Sequence, residues 1–327
     1  MMTLLFPGQG SQQPGMGRFL FENFSVAKHT FEEASEALSQ DMKKLCFYGS
    51  ESDLALTENT QPALLLVSTA TQRVLLSEYH PKIAAAAGHS IGEYAALVAA
   101  NVTEFADSLK AVRIRGQAMQ SAVPVGQGGM IAALGLEPAE AQFLCDYVVK
   151  TSGFGPLSPA NYNSPGQIVL SGSAQAIEWL RANFKPEIFP EAPKRAKLIP
   201  LNVSAPFHCE MMLPAEERMR EVLSAMKFRR PEYKIVQNFT AKLESEPQAL
   251  RENLIRQVSA PVRWTESMEL LKAQGFTQCI ECGAGKVLSG LAKKIDGEAF
   301  KVFSTNTLED LKLIEDFMKS PIKVLED

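Results

Sequence analysis

Ala86-Ala87-Gly88-His89-Ser90-Ile91-Gly92-Glu93-Tyr94 is the stretch from which the fold of this chain is read. An apolar run, Ile83 to Ala87, precedes the turn, and a helix-forming run, Glu93 to Ala100, follows it. A strand, a tight turn and a helix, with serine at the centre of Gly-x-Ser-x-Gly, make a nucleophile elbow. The chemistry accounts for the spacing. A serine hydroxyl attacks well only when a base removes its proton, and it must project from the backbone into an open site. A sharp turn does this but crowds the flanking chain, and glycine two residues away on each side has no Cβ to clash. The helix that opens there turns its N-terminal amides toward negative charge near Ser90. Two points stand against the elbow. Ala84 to Ala87 favours helix by propensity, although Pro81 before it and the turn after it lead to a strand assignment. Ser90 could also be an ordinary cap at a helix start.

Length and composition set the bounds. A chain of 327 residues makes one large domain or two modest ones. Hydrophobic residues at 46% and charged residues at 21% are ordinary for a soluble globular protein. A net charge of −4 argues against general nucleic-acid binding, which needs a basic surface. No apolar run is long enough to span a bilayer, so no membrane role is expected. The start, Met1-Met2-Thr3-Leu4-Leu5-Phe6-Pro7, lacks the basic end and long apolar core of a signal peptide. Five cysteines, an odd number, point to reduced thiols and a cytoplasmic location. Cys279 and Cys282 form a Cys-x-x-Cys pair with no second pair, and they read as part of a buried strand over 277–282, not as a metal site.

Along the chain, Thr3 to Phe6 reads as a short buried strand. Pro7-Gly8-Gln9-Gly10-Ser11-Gln12 follows as a glycine loop, either an anion-binding loop of converging amides or a simple turn. Residues 18–58 carry mixed helical patterns. Asn59-Thr60-Gln61-Pro62 reads as the start of a helix running to about Tyr79, with Pro62 in its first turn. Residues 104–121 read as an amphipathic helix bearing Arg113 and Arg115, both of which could be solvated helix charges. After a glycine-rich hinge, 125–130, the pattern changes. Strands over 130–134, 158–162, 167–171 and 197–201, with helices over 138–149 and 174–184, give βαββαβ, the ferredoxin-like arrangement. A helix over 214–227 and a strand over 234–239 follow. The Gly283-Ala284-Gly285-Lys286 turn lacks the Gly-x-x-x-x-Gly-Lys-Ser/Thr spacing of a phosphate loop and reads as the entry to a helix over 287–295. The last twenty residues read as a helix and a charged tail. Only four histidines are available as a base. His29 and His80 lie in unremarkable contexts, and His89 should point away from its neighbour Ser90 on a sharp turn. His208 remains, although a lone histidine is more often structural.

Gly88-His89-Ser90-Ile91-Gly92-Glu93-Tyr94 resembles the active-site signature of malonyl-CoA:acyl-carrier-protein transacylases and the related polyketide synthase acyltransferases. Further motifs resemble that family in order: Phe6-Pro7-Gly8-Gln9-Gly10-Ser11-Gln12, Thr60-Gln61-Pro62-Ala63, Arg115-Gly116 with Met119-Gln120, Asn161 to Gln167, Phe207-His208, and Gly285-Lys286-Val287-Leu288. The resemblance implies an α/β fold: an α/β-hydrolase-like large domain with a parallel-sheet core, 1–125 and 198–327, and an inserted ferredoxin-like subdomain, 126–197, with Ser90 in the cleft between them. It implies Ser90 as nucleophile, His208 as base, and the backbone amides of Gln9 and Ile91 as the oxyanion hole. Arg115 would bind the malonyl carboxylate, as a guanidinium offers two parallel donors. Phe207, Met130 and Asn163 would contact substrate, although a turn between strands is all that Asn163 need provide. The Gln257 backbone carbonyl would orient His208, and the Thr-Gln-Pro-Ala segment would serve packing.

The implied activity moves malonyl from malonyl-CoA, through a Ser90 ester, to the phosphopantetheine thiol of an acyl carrier protein, with no metal and no bound cofactor. The pathway is fatty acid or polyketide synthesis, Phe207 favouring malonyl over methylmalonyl and leaning toward the latter pathway. The alternative is an acyl-carrier-protein thioester hydrolase using the same Ser90 and His208. Arg115 speaks against it, since an uncharged acyl chain gains nothing from a buried cation. The chain is expected to act as a monomer and to dock its carrier on a local basic patch, Lys194, Arg195 and Lys197.

Overall fold

Phe6 lies opposite Gly88 and Leu5 opposite Ala87 in a parallel strand pair, Met2–Phe6 with Ile83–Gly88, and this register governs the rest of the architecture. The computed structural model describes residues 1–191 and 195–319; Lys194 and the tail 320–327 lie outside the described residues. The pair sits at the centre of a six-stranded sheet. In spatial order its strands are Lys301–Phe303, Gln278–Glu281, Met2–Phe6, Ile83–Gly88, Lys234–Gln237 and Lys242–Glu244. The first five run parallel, and the last turns back antiparallel on Lys234–Gln237. Both faces are covered. Leu4, Phe6, Ala86 and Ile235 face one core. Leu5, Ala85, Ala87 and Val236 face another, with Trp264, Met268 and Leu271. Alternation along each strand produces this division. The alanine-rich run is therefore a strand despite its propensity. It is held between two parallel neighbours, and tertiary context overrides a preference of a few tenths of a kcal/mol per residue.

The second sheet is antiparallel, in the order Leu157–Ser164, Gln167–Ser173, Gly128–Leu134, Lys197–Pro200. With helices Pro138–Ser152 and Ala174–Asn183 this is the βαββαβ unit expected from the sequence. One face packs under its own helices through Ile131, Ala133, Leu144, Ile168, Leu170 and Leu180. The other face, with Met130, Ala132, Ala160 and Val169, belongs to the core of the larger unit. Backbone bonds tie the two together: the Tyr162 N–H donates to the Val262 carbonyl at 3.0 Å, and the Val262 N–H to the Ala160 carbonyl at 2.9 Å.

Some boundaries differ from the sequence reading. The helix expected from Asn59 starts at Thr57, because the amides of Asn59 and Thr60 already bond the Leu56 carbonyl. Pro62 therefore lies inside the helix and not in its first turn. The end of that helix, Leu75–Tyr79, is π-helical. Strand Lys234–Gln237 stops before Asn238, and the three-residue strands Lys242–Glu244 and Lys301–Phe303 had no counterpart in the reading. All five cysteines are free and buried. Among the described residues, no helix is long and apolar enough to cross a membrane.

Candidate active site

The strand register brings the loop after Phe6 and the turn after Gly88 out side by side at the carboxyl ends of the two central strands, where open α/β sheets place their ligands. The His89 N–H donates to the Phe6 carbonyl at 2.9 Å and locks the two together. Ser90 takes φ +52°, the left-handed region, which costs a non-glycine residue about 1–3 kcal/mol. The flanking glycines are there for lack of room. A Cβ on Gly88 would lie 2.0 Å from the Gly92 carbonyl carbon, and one on Gly92 would lie 2.1 Å from the Phe6 oxygen. Asn238 holds the turn from below. Its Oδ1 accepts from the Ser90 N–H at 2.7 Å, and its Nδ2 donates to the Gly88 carbonyl at 2.7 Å.

Ser90 Oγ stands 2.7 Å from His208 Nε2, although 118 residues separate them in sequence. The other imidazole nitrogen, Nδ1, donates to the Gln257 carbonyl at 2.9 Å. That bond leaves Nε2 free to accept the serine proton. His208 also has positive φ, +59°. Burial first, and the nearby Arg115 charge second, hold its pKa at about 3, so the ring is neutral. His89 is not in this pair. Its Nε2 lies 2.8 Å from Asn163 Oδ1 across the cleft, and burial lowers its pKa too.

Arg115 projects from helix Phe105–Ser121 and is 1% exposed. Nη1 donates to Gln61 Oε1 at 2.9 Å; Nη2 donates to Gln257 Oε1 at 2.9 Å and to Ser90 Oγ at 3.2 Å. Its Nε has no partner among the described residues. The guanidinium thus lies against the Ser90 hydroxyl, held by neutral amide oxygens. The Glu93 carboxylate acts on it through space and is itself occupied elsewhere: Oε2 accepts from the Asn238 N–H and Gln257 Nε2, both at 2.9 Å, and Oε1 from Gln237 Nε2 at 3.0 Å.

Gln9, Gln61, His89, Ser90, Arg115, Met130, Asn163, Val169, Phe207 and His208 are among the residues that line a cavity of about 170 Å³. Every side chain expected at the site from the sequence is therefore in one place, with Ile91 adjoining Ser90 on the turn. Among the described residues, neither the Gln9 nor the Ile91 amide has a hydrogen-bond partner. The Ser90 amide, by contrast, is taken by Asn238. Gln61 corrects the reading of its segment as packing alone, since its amide oxygen meets Arg115. Glu93, Asn238 and the side chain of Gln257 were not singled out from the sequence. The signal for Glu93 was present: it is one carboxylate in a helix, Gly92–Ala99, whose eight residues are all buried. Among the described residues, no group of three or more His, Cys, Asp or Glu side chains could hold a metal ion.

Residues 3–293 match the acyl transferase domain family. The malonyl CoA-acyl carrier protein transacylase of Bacillus subtilis strain 168 is 42% identical over 313 residues, 95% of this chain and 95% of its own. Among solved structures, an acyl carrier protein S-malonyltransferase from Vibrio cholerae aligns with TM-score 0.88 at 40% identity, covering 96% of this chain and 99% of its own. A malonyl-transacylase in complex with its type II PKS acyl-carrier protein aligns with TM-score 0.89 at 38% identity, covering 97% and 99%.

Proposed function

The chain belongs to the acyl transferase family, and we propose that within it the protein moves malonyl from malonyl-CoA, through an ester on Ser90, to the phosphopantetheine thiol of an acyl carrier protein. Arg115 carries this reading. It is a buried cation held by neutral amide oxygens beside the Ser90 hydroxyl, and its Nε–H has no partner among the described residues. A buried guanidinium is stable when a planar anion completes its hydrogen bonds. The free carboxylate of a malonyl group supplies that anion, and Arg115 Nη2 lies 3.2 Å from the Ser90 Oγ that would attack the adjoining carbonyl.

In the first half-reaction His208 Nε2 takes the Ser90 proton as Oγ attacks the thioester carbonyl. The Gln257 carbonyl stabilises the imidazolium formed. The tetrahedral oxyanion sits on the amides of Gln9 and Ile91, where one such donor contributes roughly 3–4 kcal/mol. The Ser90 amide cannot serve, being bonded to Asn238. The C–S bond then breaks, His208 returns the proton to the CoA thiolate, and malonyl-serine remains. In the second half-reaction His208 deprotonates the carrier thiol, which attacks the ester, and Ser90 leaves with the proton. Phe207, Met130 and Asn163 would bound the acyl group. The same reading takes 1–125 with 198–327 as the catalytic unit and 126–197 as the smaller one, acting as a cytoplasmic monomer with no bound cofactor in fatty acid or polyketide synthesis.

The test is intact-mass spectrometry after mixing with malonyl-CoA or acetyl-CoA. Malonyl should add once, at Ser90, in preference to acetyl, and a carrier thiol should discharge it. Ser90→Ala should gain no mass. Malonyl mass on Ser90→Ala would overturn the nucleophile, and rapid loss of the ester to water without a carrier would favour the hydrolase.

A further inference from the structure

We propose that Glu93 is a positioning residue for substrate choice: its carboxylate fixes the orientation of the Gln257 side-chain amide, and that amide aims the Arg115 guanidinium at the nucleophile. This rests on the malonyl-transfer reading and extends it to a residue that does not touch substrate, since Glu93 does not line the cavity.

The argument is one of donors and acceptors. Gln257 Nε2 faces three oxygens: the Ser90 carbonyl at 3.0 Å, Glu93 Oε2 at 2.9 Å and Asn238 Oδ1 at 3.4 Å. Gln257 Oε1 faces Arg115 Nη2 at 2.9 Å. Turning the amide over would set oxygen against three oxygens and N–H against a cation. The orientation of the amide is thus settled by its surroundings, and Glu93 is the one ionisable group among its acceptors. Glu93 in turn meets only donors: the Asn238 N–H, Gln257 Nε2 and Gln237 Nε2. A carboxylate accepts at both oxygens, whereas a carboxamide of the same shape carries an NH₂ on one side. In Glu93→Gln that NH₂ must face either Gln237 or the pair Asn238 and Gln257. Gln237 has no slack, since its Nε2 also donates to the Leu250 carbonyl at 2.9 Å and its Oε1 accepts from Asn253 Nδ2 at 2.8 Å. Relief at Gln257, which faces the same Glu93 oxygen as the immobile Asn238 backbone N–H, turns its amide away and withdraws its oxygen from Arg115. Gln61 still holds Nη1, so Arg115 stays buried but loses one of its two amide anchors.

An acetyl group makes no contact with a carboxylate receptor, so a change routed through Arg115 alters malonyl and acetyl unequally. A merely structural role for Glu93 would slow both alike. The experiment measures kcat/KM for acyl-enzyme formation from malonyl-CoA and from acetyl-CoA in the parent, Glu93→Gln, Gln257→Leu and the double variant, with a thermal melt of each. Leucine at 257 keeps the backbone carbonyl that orients His208 and removes only the amide. We expect the malonyl-to-acetyl ratio to fall about tenfold in each single variant and no further in the double, because the two residues act through one contact. A ratio that falls less than about threefold in Glu93→Gln, or two losses that multiply in the double, overturns the proposal. If Glu93→Gln does not fold, Gln257→Leu decides: an unaltered ratio there removes the contact through which Glu93 must act. A parent protein with no preference for malonyl overturns the functional reading and this one with it. A parent preference that Glu93→Gln leaves intact overturns the positioning role alone.

Discussion

Acidification from pH 8 to pH 5 should leave the rate of acyl-enzyme formation nearly flat while the protein loses stability. Burial, and then the Arg115 charge, hold the His208 pKa at about 3, against about 6.5 for an unperturbed histidine. At pH 5 an ordinary histidine base would be about 97% protonated and the rate would drop about thirtyfold, whereas a base at about 3 is only about 1% protonated. The window stays above the carboxylate range, so the malonyl group remains ionised. Stability moves oppositely. Around pH 6.5 the unfolded chain takes up a proton on His208 that the folded chain refuses until about pH 3. The contribution of the neutral buried ring is therefore fully present above pH 6.5 and is lost progressively as pH falls toward 3. At pH 5 the loss spans about 1.5 pH units, or about 2 kcal/mol. Burial of His89 acts in the same direction. Rapid-quench acylation read by intact mass, with calorimetric melts in the same buffers, measures both. A midpoint near pH 6.5 in the acylation rate, with the fold still intact, would refute the assignment of His208 as a buried neutral base.

Arg115→Ala should lower kcat/KM for malonyl-CoA by roughly 2–5 kcal/mol, about thirtyfold to several thousandfold, and should affect acetyl-CoA far less; an equal loss for the two sinks the carboxylate-binding role. Gly92→Ala places a Cβ 2.1 Å from the Phe6 backbone oxygen, so the melt should show at least about 1–3 kcal/mol of destabilisation, and a parent-like melting temperature would count against the steric account of the elbow. Phe207 is buried beside His208 and lines the cavity. Phe207→Ser should therefore raise methylmalonyl loading about tenfold in competition with malonyl-CoA, and no gain would remove the ring from the acyl pocket. Arg195 and Lys197 are exposed, and reversing both to Glu should raise the KM for an acidic carrier protein; an unchanged KM argues against that docking patch.

The parts of this molecule that the sequence makes legible are those whose cause is local. The elbow is legible because sterics require glycine on both sides of Ser90, and the two glycine contacts, at 2.0 and 2.1 Å, are the physical form of that requirement. The βαββαβ unit is legible because its strands and helices follow one another without interruption and alternate with clear periods. His208 was reached by scarcity of histidines and by resemblance, never by spacing, because 118 residues and a whole inserted unit lie between it and Ser90. What stayed hidden depends on which strand lies beside which. Lys234–Gln237 is the neighbour of Ile83–Gly88, so Asn238 emerges under Ser90. Hydrophobic alternation assigns a residue to a face of its strand but says nothing about the strand's neighbour. The short edge strands escape for a related reason: three residues carry too little period to detect. A charged residue in a helix is solvated by default, and the sequence reading assigns Glu93 no role. That default fails in a helix buried on every side. There an ionisable group must find its partners inside the protein, and those of Glu93 lead through Asn238 to the backbone of Ser90 and through Gln257 to Arg115.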